Sequence, residues 1–130
     1  MSDYPQPGPE LDALVEKRIF GREWVLHQYI AINGTTHATP TWLLLGQYPY
    51  DPPWSTVPGQ VPPPRSTDIG AAWEVVEAFA ANGWRPWVRR ADNGTWLCRM
   101  TRKLHYWNAQ ADTAPHAICL AALETSEKGD

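Results

Sequence analysis

The clearest helical pattern in the chain lies in residues 65–84, RSTDIGAAWEVVEAFAANGW. Apolar residues recur there at i, i+3, i+4, i+7 and i+11, which is one face of an α-helix: Ile69, Ala72, Trp73, Val76 and Ala80. Residues that cap helices precede this stretch, and Asn82-Gly83 provides a stop signal. The pattern predicts one amphipathic helix against which shorter elements pack.

The start of this helix combines groups that attract anions. Free N–H groups and the helix dipole favour negative charge at a helix N-terminus. Arg65 adds a cation there, and Ser66 and Thr67 add hydroxyl groups. We predict a phosphate or carboxylate site formed by Arg65, Ser66, Thr67 and Asp68. The alternative is an ordinary capped helix with a solvated arginine, because Ser, Thr and Asp cap helices without any ligand.

The flanking segments predict an α+β fold, with three helices and an antiparallel sheet. An apolar pattern at residues 10–20, ended by Gly21, indicates a first helix, and Thr113 begins a last helix that ends near Glu124. Hairpin signals stand at Asn33-Gly34 and at residues 92–94, between segments of strand-forming residues. Residues 105–107 either extend the last strand or begin another.

A proline- and aromatic-rich stretch at residues 46–65 has neither a helical nor a strand period. Eight of the thirteen prolines fall between Pro40 and Pro64. Structureless loops of this length are uncommon in compact domains and are usually functional or disordered. Because Tyr48, Tyr50 and Trp54 argue against plain disorder, we predict an ordered flap near the start of the central helix.

The length and composition predict a single domain over residues 1–130, with a flexible lead at 1–8 and a polar tail at 125–130. No apolar run is long enough to span a membrane, and we expect no signal peptide, hence a cytoplasmic protein. In that setting Cys98 and Cys119 are expected to be reduced, buried thiols.

Charge and aromatic content point to a small anion as the ligand. The formal net charge is −3, which disfavours binding of long nucleic acids, yet basic residues cluster between residues 85 and 103. Arginines there can pair a phosphate, and aromatic side chains can stack on a base. The predicted ligand-binding residues are Tyr48, Tyr50, Trp54, Arg65, Ser66, Thr67, Asp68, Arg89, Arg102 and Trp107. If the loop and helix start do not bind, the hairpin around Arg89, Arg99 and Arg102 is the next candidate.

The eight tryptophans exceed what one core of this size needs. Tryptophan is enriched at protein interfaces, so we predict a homo-oligomer, most simply a two-fold dimer.

No catalytic constellation stands out in the sequence. It holds no phosphate loop, no GxSxG and no HExxH, and the four histidines are scattered. We therefore predict no metal, no cofactor and a protein that is not an enzyme. Two alternatives remain open: a protein–protein interaction module that inhibits a partner through its aromatic loop, and a phosphodiesterase-like enzyme.

Three spaced segments resemble a known family. LDALVEKRIFG, STDIGAAWEVVE and ADTAPHAICLAALE, in that order, are similar to segments of the phage ABA sandwich domain family, small proteins of tailed phages and prophages. The resemblance implies a layered α/β sandwich. Residues 22–64 form a longer stretch than is usual in that family.

The resemblance also suggests a biological setting. Small phage proteins without catalytic motifs often occupy a host molecule, and some sequester nucleotide signals of antiviral immunity. By this analogy we expect a phage protein in the cytoplasm of the infected bacterium that sequesters a nucleotide as a counter-defence. Fold alone does not fix function, so this expectation depends on the site.

Overall fold

The computed structural model describes residues 4–27, 41–44 and 61–128. The elements are α1 (Pro9–Phe20), β1 (Trp24–His27), β2 (Thr41–Leu44), α2 (Ile69–Ala81), β3 (Arg85–Arg90), β4 (Trp96–Arg102), β5 (His105–Ala111) and α3 (Ala114–Lys128). An antiparallel sheet has the strand order β3-β4-β5, and β1 pairs separately with β2. The predicted α+β class, with three helices and an antiparallel sheet, is confirmed.

Short-range signals set the helix ends. Gly21 adopts φ 70° after α1, and its N–H donates to the carbonyl of Glu16, as expected for a glycine C-cap. Asp68 caps α2 by accepting a hydrogen bond from the N–H of Ala71 at 2.9 Å. The Thr113 hydroxyl oxygen accepts from the N–H of His116 at 3.3 Å and caps α3.

The central element of the fold is α3. It contacts all three strands of the larger sheet and also α1 and α2. Nearly every side chain from Pro115 to Thr125 is buried. Small residues such as Ala117 and Ala121 let the helix lie close to its neighbours on more than one side. The core therefore surrounds α3.

The register of the sheet separates two faces. Cys98 and Met100 are fully buried and point towards the helices. Cys98 is paired with Val88 and Ala109, and these residues also face the core. Since side chains alternate along a strand, Leu97, Arg99 and Thr101 point away from the helices.

Two features differ from the sequence-based expectation, the buried stripe of α2 and the end of α3, whereas residues 105–107 follow one of the two predicted alternatives. The buried stripe of α2 consists of Ala72, Val75, Val76 and Phe79, whereas Ile69 and Trp73 are 52% and 48% exposed. The prediction for the stripe was wrong because α2 is apolar on almost every side, so two overlapping stripes fit the pattern. Helix α3 continues one turn past Glu124, and β5 is a strand of its own.

The extra turn of α3 is held by buried contacts. The Thr125 hydroxyl donates to the carbonyl of Ala121 at 2.8 Å, and the Ser126 hydroxyl donates to that of Leu123 at 2.9 Å. The predicted polar tail is therefore helical as far as Lys128. The predicted turn at Asn33-Gly34 and residues 46–60 of the predicted loop lie outside the described residues.

Candidate functional site

Arg65, the predicted anion ligand, is buried within a network of carboxylates. Its side chain is about 2% exposed. Nη1 donates to Glu74 Oε2 at 2.7 Å and to the carbonyl of Ala71 at 3.0 Å, and Nη2 donates to Glu16 Oε2 at 3.5 Å. The guanidinium also lies 4.1 Å from the ring centre of Phe20. The expectation of a solvent-facing arginine is wrong, because this cation already pairs with internal carboxylates.

The amides of residues 66–68, just before α2, also already have partners within the chain. The N–H and hydroxyl of Ser66 both donate to Asp12 Oδ1, at 2.7 and 2.6 Å. The N–H groups of Thr67 and Asp68 donate to the carbonyl of Pro64 at 3.3 and 2.9 Å. Burial raises the pKa of Asp12, although the bonds from Ser66 oppose the shift. The helix start is therefore a capped junction with α1, and the alternative reading of a capped helix describes its geometry.

The other predicted site residues do not form one group. Tyr48, Tyr50 and Trp54 lie outside the described residues. Arg102 and Trp107 point to the helix side of the sheet, where Arg102 lies 4.4 Å from the ring centre of Trp84. Whether any of these residues binds a ligand stays a prediction.

Among the predicted residues, Arg89 lies on the side of the sheet away from the helices. We call this surface the outer sheet face. It consists of alternate residues of the three strands: Arg85, Trp87 and Arg89 on β3, Leu97, Arg99 and Thr101 on β4, and Tyr106, Asn108 and Gln110 on β5. Trp87 is 37% exposed and Tyr106 is 57% exposed. A large aromatic on an open sheet face is available for stacking.

The centre of the outer sheet face is Arg99. Its guanidinium carbon lies 5.1 Å from the ring centre of Trp87 and 4.5 Å from that of Tyr106. Arg89 contacts the same tryptophan at 5.5 Å. Both aromatics therefore hold Arg99 in place through cation–π contacts, which favour a planar cation over a ring face.

The outer sheet face is positively charged and has no internal counterion in the described part of the chain. None of its nine residues is an Asp or a Glu. The described ion pairs leave out Arg85, Arg89 and Arg99, and Arg99 Nε is buried with no hydrogen-bond partner there. An anionic ligand on this face would supply a counterion for these three arginines.

The sequence analysis named Arg89, and also Arg99 in the alternative hairpin site, but it assigned neither Trp87 nor Tyr106 to a site and counted Arg85 only in the basic cluster. The alternation Arg85, Trp87, Arg89 along one strand was available as a signal. It places all three side chains on one face because the side-chain period of a strand is two. Arg102 is three residues from Arg99 in β4, so the two side chains point to opposite faces of the sheet. Of the predicted group, Arg89 and Arg99 therefore lie on the outer sheet face and Arg102 lies on the other.

The described residues hold neither a cluster that could bind a metal ion nor a reactive thiol. Among them, no three His, Cys, Asp or Glu side chains lie close enough together to hold a metal ion. Cys98 and Cys119 are buried free thiols, as predicted, and burial raises the pKa of each to about 12. A thiol so far from ionisation at neutral pH is a poor nucleophile.

A second surface is apolar. Ile69, Trp73, Trp96 and Pro115 border an open cleft of about 470 Å³ between α2, the sheet and the start of α3. Within the described ranges, no helix is both long and apolar enough to cross a membrane.

Comparisons with known proteins agree with this architecture. The model of the phage ABA sandwich domain family matches residues 17–123. A 2.0 Å crystal structure of a phage protein from Bacillus cereus ATCC 14579 superposes with a TM-score of 0.59 at 21% sequence identity. The alignment covers 98% of this chain and 93% of that one. No curated protein matches the chain significantly.

Proposed function

The chain belongs to the phage ABA sandwich domain family, and from this premise we propose that it is a phage protein that binds a nucleotide on its outer sheet face and leaves it intact. The observation that carries the proposal is Arg99, an arginine stacked between exposed Trp87 and Tyr106 with no carboxylate partner among the described residues. Arginine pairs phosphate, and the aromatic rings stack on a base, so this face offers both halves of nucleotide recognition.

The composition of the face supports binding without bond cleavage. General acid–base and nucleophilic catalysis use His, Asp, Glu, Lys, Cys or an activated hydroxyl. Among the nine residues of the outer sheet face, only Thr101 and Tyr106 carry a hydroxyl group. The face has no histidine or carboxylate that could activate either hydroxyl. A protein of this kind acts by occupancy, in the cytoplasm of the infected bacterium, where it lowers the free concentration of a nucleotide signal used for immunity.

Titration calorimetry with a panel of ribonucleotides of one to three units tests the proposal. We expect Arg99→Ala to weaken binding by about 1.5–3 kcal/mol, the range for hydrogen bonds to a charged group. Arg90→Ala is the matched control, because it removes the same charge from β3 on the opposite side of the strand. Trp87→Ala should weaken nucleotide binding by about 1–3 kcal/mol, because it removes a ring that stacks on a base. Trp73 is also exposed but lies on another surface, so Trp73→Ala should leave the affinity unchanged.

Two results contradict the proposal. If no nucleotide in the panel binds, nucleotides are ruled out as the ligand class. If Arg99→Ala and Arg90→Ala bind the nucleotide with equal affinity, the site is not on the outer sheet face. Recovery of intact nucleotide after the protein is heat-denatured separates sequestration from catalysis. New products would favour the phosphodiesterase-like alternative.

A protein–protein interaction module is the second candidate. The aromatic loop first considered for this role lies mainly outside the described residues. A different observation favours it, namely that exposed Ile69 and Trp73 border an apolar cleft. Large exposed apolar patches commonly mark interaction sites. Loss of partner binding in Trp73→Ala with retention in Trp87→Ala would support this candidate.

A further inference from the structure

We infer that the ligand of the outer sheet face is a short single-stranded oligonucleotide of about two or three units, which binds more tightly than a mononucleotide. This inference rests on the proposed function, since it names the ligand class for the same site. Three observations carry it: the spacing of the aromatic rings, the position of the arginines and the limited extent of the basic surface.

The two aromatic rings are separate stacking positions. The ring centres of Trp87 and Tyr106 lie 5.1 and 4.5 Å from the guanidinium carbon of Arg99, so they are at most about 10 Å apart. Trp87 is on β3 and Tyr106 on β5, and Arg99 is on β4, the strand between them. One base stacked on Trp87 therefore leaves Tyr106 free for a second base, and the guanidinium lies between the two for the phosphate that joins them.

The same face extends past this pair along β3. Arg85 and Arg89 flank Trp87 on β3, each two residues away. At the usual strand rise their Cα atoms are about 13–14 Å apart. Each is a cation without an ion pair in the described part of the chain. The two arginines can therefore contact phosphates on both sides of a base stacked on Trp87. A mononucleotide has a phosphate on one side only and cannot contact both arginines in this way.

Neutral polar groups complete the surface. Thr101, Asn108 and Gln110 offer donors and acceptors that suit the edges of bases. An antiparallel sheet that presents aromatics for stacking and polar groups for base edges is a common solution for single-stranded RNA.

The charge of the whole chain limits the length of the ligand. The net charge of −3 already includes the three arginines of the face, so the remaining residues carry −6. A sheet of three strands is only about 10 Å across. A longer strand would extend past the arginines of this surface, and the rest of the chain carries net negative charge, so we expect additional nucleotides to add little affinity.

Calorimetric titration with 5′-phosphorylated oligoadenylates of one, two, three and eight units, at one salt concentration, tests the inference. We expect affinity to rise about tenfold from one unit to two and to rise again to three. The affinity for the eight-unit probe is expected to be within about threefold of that for the three-unit probe. A longer strand offers the same site several equivalent positions to bind but makes no new contacts. Tyr106→Ala should abolish the gain from one unit to two and leave mononucleotide affinity almost unchanged, whereas Trp73→Ala should preserve the gain.

The outcomes separate this inference from the proposed function. Equal affinity for one, two and three units, still lost in Arg99→Ala, overturns the inference and retains a mononucleotide site. Affinity that keeps rising to eight units also overturns it and indicates an extended nucleic-acid surface. Absence of binding by every oligoadenylate overturns the inference, and the nucleotide proposal is overturned with it only if the ribonucleotide panel also fails to bind.

Discussion

At the residue scale, the buried carboxylate–arginine network shows why a charged residue in a promising motif does not always bind a ligand. Glu16 has a side chain about 1% exposed and accepts hydrogen bonds from Arg22, Trp24 and Arg65. A buried charge is tolerated only when it is paired and hydrogen-bonded. Arg65 therefore joins α1 to α2 through its bonds to Glu16 on one side and to Ala71 and Glu74 on the other.

Arg65→Ala should destabilise the fold by about 3 kcal/mol or more, because it leaves Glu16 buried with fewer partners. Asp68→Ala removes only a helix cap and should cost about 1 kcal/mol. Urea denaturation of both variants compares the two values. A loss in Arg65→Ala no larger than that in Asp68→Ala would contradict the structural role assigned to the arginine.

His116 makes stability depend on pH. Burial lowers its pKa, and the carboxylate of Asp112 opposes the shift only in part. The unfolded chain therefore binds a proton more readily than the folded chain, so stability should fall as pH decreases below about 6.5. His116→Gln should reduce this slope, whereas the same change at the exposed His105 should not. Melting temperatures measured between pH 7.5 and 5 test the difference, and parallel curves for wild type and His116→Gln would count against it.

The candidate site was only partly predictable from the sequence. Asp68 was predictable as a cap because capping depends on neighbouring residues alone. Arg65 was not, because its partner Glu16 is 49 positions away in the chain and no local pattern links them. The pairing of Arg99 with Trp87 was not predictable either, because it depends on the register of β3 and β4. The turn at residues 92–94 fixes that register only if the exact ends of the two strands are known.

At the scale of elements, α3 explains both the success and the failure of the pattern analysis. The alternation in β4 identified the hairpin because one face of the strand meets the core and the other does not. Helices α2 and α3 are apolar on several sides, so periodicity showed that they are helices but not which side is buried. Contacts from other layers settle that choice, and a single sequence does not encode them locally.

Because α3 lies among the sheet and two helices, its small residues should tolerate enlargement poorly. Ala121→Leu adds volume where the side chain is 0% exposed and should cost about 1–3 kcal/mol. The matched change Ala80→Leu, at an exposed position of α2, should cost less than about 0.5 kcal/mol. Thermal melting of both variants measures the difference. Equal melting temperatures would show that the packing around α3 is looser than described.

At the scale of the whole molecule, tryptophan placement favours contact with other molecules. Of the tryptophans whose side chains the structure describes, only Trp84 is buried, and Trp73 and Trp87 are exposed on different surfaces. A chain that needed its tryptophans only for a core would hide more of them. The nucleotide site proposed on one surface leaves the other surface unassigned.

We continue to predict a two-fold homodimer from this excess of aromatic surface. Light scattering at high micromolar concentration should give twice the chain mass of 14.7 kDa. Dilution to nanomolar concentration should separate the subunits if the interface is of ordinary size. A monomeric mass throughout that range would contradict the prediction.

The position of α3 has a consequence for how the protein is made. Helix α3, which every other layer of the described core contacts, is also the last of the described elements in chain order. Until it leaves the ribosome, the apolar faces of α1, α2 and the sheet lack the surface that buries them. The contacts of α3 with α1 and α2 join early and late parts of the chain, and such contacts form slowly. Synthesis of this domain passes through a stage in which α1, α2 and the sheet have been made but α3 has not, and at that stage their apolar faces are accessible to chaperones and proteases.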